Sequence, residues 1–483
     1  MGWFQQKKGN ARTEPVRLDP LDTVLVEFMP SYPWTVRDAC EGTQIFGQNG
    51  SGKTSGSGQA IAKAFLRSGF GGLVLTAKTD ERELWERWAG ETGRMSDLVV
   101  FSPESGHSFN FLNYESRRPG GGGGLTFNLV NLFQEVMQVG NRKRGDGTDG
   151  FWIDAMNELL TNAIDLALLA RGKITFDEIY QIIQSAPTSM AQTQDESWLE
   201  SSFCADCLFS VHKRKAELAE EVTSDFGVIK DYWLCRYPEL APETRSAVVQ
   251  TFTGMANPFL RHPFKRLFCQ KTSLVPDLSM AGKIILLDFP VKEYANLGKF
   301  SQVLFKYIWQ RAVERRDVAA HPVPVFLWAD EAQFFVTSND TKFQSTARSK
   351  RACTVYLTQS LPGYHAELGG GDVAKASVES LLTNLSTKIF HANGERSTNT
   401  FAADSIGQSL HDRSSWNVGE ADKQKGPSAG GSEQMGYDIP PQAFTQLRCG
   451  GPHNSCQVDA VIFKSGSNWP RPYARVSFDQ QEQ

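Results

Sequence analysis

Short apolar and β-branched runs punctuate the first hundred positions of the chain, each bounded by polar or glycine-bearing residues. Thr43–Phe46 leads into a glycine loop, residues 72–76 read GLVLT and residues 97–101 read DLVVF. Helix-like stretches such as Gln59–Arg67 lie between them, and this alternation predicts a parallel sheet. From about residue 151 the period changes. Trp152, Met156, Leu159, Leu160, Ile164 and Leu168 recur at helical spacing, and residues 151–270 lack the short β-branched runs, so an all-helical insertion is expected there. Within it, residues 211–222 (VHKRKAELAEEV) read as a solvated helix face.

Strand-like runs return at residues 283–287 (KIILL), 323–328 (VPVFLW), 353–357 (CTVYL) and 386–390 (STKIF), with a helix expected over about residues 299–316. Residues 119–124 (PGGGGG) read as a flexible loop and residues 141–150 (NRKRGDGTDG) as a polar connection. Residues 417–432 form a polar, glycine-rich stretch, followed by a late edge strand at residues 457–463. The expected organisation is an N-terminal segment (1–30), an α/β domain in two parts (31–140 and 273–483) and an all-helical insertion (141–272).

Length supports that division, because 483 residues exceed what one hydrophobic core usually needs. With 40% apolar and 22% charged residues the chain reads as globular. Its net charge of −4 leaves any nucleic-acid binding to local basic surface. The most apolar stretch, residues 159–170, is broken by Asn162 and Asp165, so no membrane-spanning helix is expected. Residues 1–10 lack the apolar core of a secretory signal, which points to a cytoplasmic address. Of the eight cysteines only Cys204 and Cys207 are closely spaced, and one such pair lacks two of the ligands a zinc site needs. They read as ordinary helix residues, and disulfides are not expected in that compartment.

The candidate chemistry begins at Gly47-Gln48-Asn49-Gly50-Ser51-Gly52-Lys53-Thr54, which fits the phosphate-loop pattern of two glycines four residues apart followed by Lys and Ser/Thr. Glycines let successive N–H groups turn inward toward phosphate oxygens, and the following helix adds its positive end. Lys53 is expected to reach the β- and γ-phosphates of ATP and the Thr54 hydroxyl to ligate Mg²⁺, with Ser55 completing the loop. An apolar run then delivers Asp330 to the Mg²⁺ shell, while Glu331 can polarise an attacking water as general base. Taken alone, that pair is equally a solvated strand end; a matched phosphate loop favours catalysis. Gln359, closing another strand, can sense the γ-phosphate or orient water. Arg348 is a candidate for reaching a neighbouring subunit's nucleotide, against the plainer reading of a surface arginine.

Several landmarks in order resemble a type IV secretion coupling protein of the TraG/TraD kind, within the HerA/FtsK group of ring-forming translocases. They are GQNGSGKT at 47–54, LVLTAKTDE at 73–81, VVFSPESGHSFNFL at 99–112, FWIDAMNELL at 151–160, FLWADEAQFF at 326–335, ARSKRACTVYLTQSL at 347–361 and LLTNLSTKIF at 381–390. The resemblance implies a RecA-like P-loop ATPase domain with a parallel-rich central sheet and an inserted all-helical domain, assembled as a homo-hexamer. It also places Arg348 as the inter-subunit arginine and Gln359 as the sensor glutamine. The strand end Thr76-Ala77-Lys78 departs from the family pattern, lacking the acidic residue expected before the lysine, which weakens any role for that position. The implied partners are DNA, single-stranded or relaxase-bound, together with a relaxase and type IV secretion components. The family's N-terminal membrane helices are lacking, so a separate membrane-anchoring partner would place the chain peripherally at the inner membrane. Arg142, Lys143 and Arg144 could line a DNA pore or belong to a solvated loop. Two other functions fit the same residues: a HerA-like helicase or translocase in repair or defence, and a substrate receptor switched by nucleotide.

Overall fold

The computed structural model describes residues 20–118, 125–140, 149–417 and 428–481. Nine strands form its main sheet: β1 (Thr43–Phe46), β2 (Gly71–Leu75), β3 (Leu98–Phe101), β4 (Ile284–Leu287), β5 (Val325–Ala329), β6 (Ala352–Thr358), β7 (Thr387–Phe390), β8 (Gln457–Lys464) and β9 (Tyr473–Asp479). Their spatial order is β9-β8-β7-β1-β6-β5-β2-β4-β3. The seven strands from β7 to β3 run parallel, while β8 pairs antiparallel with both β7 and β9.

Because successive side chains point to opposite faces, each apolar run feeds two cores. Ile45, Val74, Phe326, Trp328 and Val355 face one side, under Trp34, Phe65, Trp85 and Trp88. Phe46, Leu73, Leu75, Leu327 and Tyr356 face the other. Both faces are covered, which is why most positions of the parallel strands are apolar, although Thr43, Gln44, Thr354, Thr387 and Lys388 are buried polar exceptions. Gly72 sits opposite Phe326 in the register, and a Cβ there would lie 2.6 Å from that ring, so close approach of the two strands requires glycine.

Among the described residues no strand lies between β3 and β4, and helices occupy that interval. They are not insulated from the sheet. Phe109 meets Phe305 of the long helix Val291–Arg315 at 4.9 Å between ring centroids, and Phe101 of β3 meets Phe268 at 5.4 Å. Phe111, Phe133, Phe176 and Phe259 carry the same core on into the helices. Cys204 and Cys207 are buried on the helix Phe203–Lys213 and are not disulfide-bonded.

Four expectations change. The run 211–222 is a break between Phe203–Lys213 and Glu220–Asp231, where Arg214 reaches back to the carbonyls of Leu169 and Ala170 while Leu218 packs on the core. The helix expected from 299 begins at Val291, although Ala295, at φ 48°, interrupts it. The strand expected at the edge, β8, is interior, because β9 covers it. The described ends of the polar stretch 417–432, Asn417 and residues 428–432, belong to a separate two-stranded ribbon of Gln408–Asn417 with Ser428–Tyr437, in which Leu410 and Met435 are paired and exposed, while residues 418–427 lie outside the described residues. Nothing in its side chains alternates in polarity, so its strands carry no apolar pattern. Asp149 and Gly150 open a helix, whereas residues 119–124 and 141–148, with Arg142, Lys143 and Arg144, lie outside the described residues.

Candidate active site

The glycine loop leaves β1 and curls at the edge of the sheet where the parallel strands end. Its entry is fixed by backbone bonds: Gly47 N–H donates to Thr358 O (3.2 Å) and Gln48 N–H to Ala392 O (3.0 Å). Gln48 Oε1 in turn accepts the Gly394 N–H at 3.0 Å. Gly50 (φ 72°) and Gly52 (φ 81°) take the left-handed conformation that the turn demands. At Gly52 a Cβ would also sit 2.6 Å from Val458 of β8, so the interior position of that strand sets the loop's tolerance. The Ser51 hydroxyl is buried among the loop with no hydrogen-bond partner. An orphaned hydroxyl inside a glycine loop suits an anion.

Next to the loop, β5 ends in Asp330 and Glu331, both nearly inaccessible to water. Glu331 adopts φ 51°, a conformation costing a non-glycine residue about 1–3 kcal/mol, which persists only where the surroundings over-determine it. Here they do. Its N–H donates to Asp330 Oδ1 (2.9 Å), and its carboxylate accepts Gln333 Nε2 (2.8 Å) and Gln359 Nε2 (3.1 and 3.3 Å). Thr358 Oγ1 donates to Gln333 Oε1 at 2.7 Å and so fixes which way that amide points. Lys53 Nζ lies 3.8 Å from Glu331 Oε1. Burial works against the carboxylate, but Gln333, Lys53, Gln359 and Lys78 outweigh it and hold Glu331 below the ordinary glutamate range.

Thr54 Oγ1 donates to Asp330 Oδ2 at 3.2 Å, so the two residues expected at Mg²⁺ already meet. Among the described residues no cluster of three acidic, histidine or cysteine side chains could hold a metal by itself. One carboxylate and one hydroxyl fit Mg²⁺, which keeps waters and takes further oxygens from phosphates.

The structure thus gathers Gly47–Ser55, Asp330, Glu331 and Gln359 at one place. It sets Arg348 apart. Arg348 precedes β6, whose seven residues separate it from Gln359 by roughly 20 Å at ~3.3 Å per residue. There its Nη1 pairs with Glu41 Oε1 at 3.2 Å, and its side chain is 55% exposed.

Three site residues were not among the sequence's candidates. Lys78, just beyond the end of β2, places Nζ 3.2 Å from Asp330 Oδ2 and 3.3 Å from Glu331 Oε1 because β2 and β5 are neighbours. Gln333 was hidden within the FLWADEAQFF run. His391, fully buried at the end of β7, lies 2.7 Å by Nε2 from Ser57 Oγ and 3.1 Å by Nδ1 from Asp459 O. A carbonyl can only accept, so Nδ1 carries the proton and Nε2 accepts the Ser57 hydroxyl. Burial pushes its pKa down to about 4, which keeps the ring neutral beneath the loop.

No family model and no curated protein matches the chain. Solved structures do. An unbound form of the bacterial conjugative coupling protein TrwBdeltaN70 matches with a TM-score of 0.61 and 12% identity over 96% of this chain and 88% of that one. The plasmid coupling protein TrwB with the non-hydrolysable ATP analogue ADPNP matches at TM-score 0.60 and 12% identity, covering 96% and 90%. TrwB with ADP and Mg²⁺ matches at 0.60 and 12%, covering 95% and 89%. The chain therefore has the RecA-like P-loop fold of the coupling protein TrwB, with its glycine loop and paired carboxylates at the edge where the parallel strands end.

Proposed function

We propose that the chain is an ATP-hydrolysing motor that moves DNA or a nucleoprotein, in the manner of a conjugative coupling protein. The observation that carries this reading is Glu331, a buried carboxylate kept in a strained backbone conformation and aimed by two glutamines beside Lys53. A nucleotide-operated switch needs no such base; hydrolysis does. The TrwB structures with ADPNP and with ADP and Mg²⁺ support nucleotide as the ligand of this fold.

In this reading the loop Gly47–Ser55 binds the β- and γ-phosphates through N–H groups other than those of Gly47, Gln48 and Ser51, which donate to protein carbonyls, together with the Lys53 ammonium, and Thr54 and Asp330 would hold Mg²⁺. When bound, the metal neutralises charge on the transferring phosphoryl group. Gln359 orients the attacking water and Glu331 accepts its proton at a carboxylate oxygen. Arg348, remote from its own loop, serves the nucleotide of the next subunit in a homo-hexamer. Residues 31–140 and 273–483 form the motor and 141–272 the helical insertion. The partners are DNA, a relaxase and type IV secretion components, with a separate protein supplying the membrane anchor. No helix among the described residues is long and apolar enough to cross a membrane.

Steady-state ATP turnover, measured with and without DNA over a series of salt concentrations, tests the proposal. DNA should stimulate turnover, and the stimulation should weaken steeply with salt, because phosphate-backbone binding releases condensed counterions. A salt-independent response, or none to any nucleic acid, would favour the receptor reading. Stimulation confined to duplex ends in company with a nuclease would favour the repair or defence translocase.

A further inference from the structure

Among the described residues, Lys78 is the one cation that touches both acidic residues of the site. Its ammonium lies 3.2 Å from Asp330 Oδ2 and 3.3 Å from Glu331 Oε1. That same Asp330 oxygen accepts the Thr54 hydroxyl. Two groups therefore converge on the oxygen at which a divalent cation would have to bind. The backbone behind Lys78 is pinned, since the buried Glu81 accepts the N–H groups of Ala77 (3.1 Å) and Lys78 (3.2 Å). Its side chain is not. A quarter of it is exposed, whereas the side chains of Asp330 and Glu331 are at 5% and 3%, so the four-carbon stem has room to swing while the carboxylates do not.

Two adjacent carboxylates in a nearly dry cleft are expensive to keep unless cations compensate them. Lys53 reaches only Glu331, and at 3.8 Å. With Lys78 in place Mg²⁺ does not displace it before nucleotide binds, because one carboxylate and one hydroxyl, without phosphate oxygens, offer the metal too few ligands to outcompete a resident ammonium. We propose that Lys78 is the counter-cation of the two carboxylates before nucleotide and metal bind: it holds Asp330 and Glu331 in place, and it gives up its position at Asp330 when a divalent metal arrives. Lys78 is a positioning residue in this scheme, and it rests on the ATPase reading only for what delivers the metal.

Thermal melting of the nucleotide-free protein tests the exchange without any turnover. Wild type should melt alike in chelator and in millimolar Mg²⁺. Lys78→Met should melt lower in chelator, by on the order of 2–4 °C, and Mg²⁺ alone should restore it, because the metal replaces the missing charge. Lys78→Arg, which keeps the charge, should behave as wild type. A neutral variant whose melting matches wild type in chelator, or falls and ignores Mg²⁺, would overturn the proposal. If Lys78→Met does not fold, the double variant Lys78→Met/Asp330→Asn, which removes both charges, should fold; its failure would count equally against the idea. In a second measurement, the Mg²⁺ concentration needed for binding of a fluorescent ATP analogue should drop about tenfold in Lys78→Met, equivalent to ~1.4 kcal/mol. An absence of ATP turnover in wild type would sink the motor reading and leave the melting comparison standing.

Discussion

The two ends of the parallel strands carry charges in opposite settings. Where the strands finish, Lys53, Asp330 and Glu331 are 5%, 3% and 3% exposed, and Glu331 alone is gripped by two glutamines and two lysines. Where the strands begin, Arg348 shares Glu41 with Lys464, whose Nζ lies 2.6 Å from Glu41 Oε2, and the arginine is half in water. The separations are similar; the surroundings are not. Solvent screens the Arg348–Glu41 pair to roughly 0–1 kcal/mol, whereas charges in the closed cleft act on each other at low effective dielectric. A group placed as Arg348 is can do strong electrostatic work only if something outside this chain dries it, and in the proposed ring that is the neighbouring subunit's site.

The largest effect expected from that contrast is on turnover at the exposed end. Arg348→Ala should bind nucleotide as an isolated subunit yet hydrolyse roughly a thousandfold or more slowly. Mixed with Lys53→Ala in rings shown by light scattering to contain both, it should regain activity, since some interfaces then join an intact loop to an intact arginine. Confirmed mixed rings without recovery would return Arg348 to an ordinary surface role.

At the buried end, Glu331→Gln should slow hydrolysis by about 10²–10⁴-fold while leaving Mg·ATP affinity close to normal, because it keeps the shape and loses the base. A collapse of affinity in equilibrium binding would show instead that the carboxylate holds the loop together.

A smaller effect separates the ends by pH. His391 supports the buried end only as a neutral ring, and its folded pKa of about 4 lies below the ordinary histidine value. Its contribution is therefore present above about pH 6.5 and lost as pH falls toward 4, about 2 kcal/mol of it by pH 5. Denaturant titrations at pH 7 and 5 should show that loss in wild type and a flatter response in His391→Asn; equal slopes in both would remove His391 from the account. The smallest effect belongs to the exposed pair: Glu41→Gln should change stability through Arg348 by under about 1 kcal/mol. A much larger loss in the double-mutant cycle with Arg348→Ala would mean that the pair is not screened as its exposure implies.

Much of this site was readable along the chain because its parts are local. GQNGSGKT states its own backbone geometry, through glycines that reach φ 72° and 81° and a lysine that follows them. The buried strands also announced themselves, since a strand covered on both faces is apolar at most positions. The polar ribbon of Gln408–Asn417 and Ser428–Tyr437 carried no such pattern, and β8 passed for an edge because nothing in its residues reports that the next segment, Tyr473–Asp479, turns back to cover it.

What only the tertiary structure decided is which strand lies beside which. Local periodicity records the face a residue points to, not the strand across the ladder, and β2 and β5 are paired although some 250 residues separate Lys78 from Asp330. That pairing brings Lys78 onto both carboxylates. The same strand order sets Val458 against Gly52, His391 against Ser57, and Arg348 at the far end from its own phosphate loop. The sequence by itself determined the glycine loop, the acidic strand end and the change of period between sheet and helices, because each is a property of a few consecutive residues. The company these groups keep was decided by long-range pairing, which no short window of the chain contains.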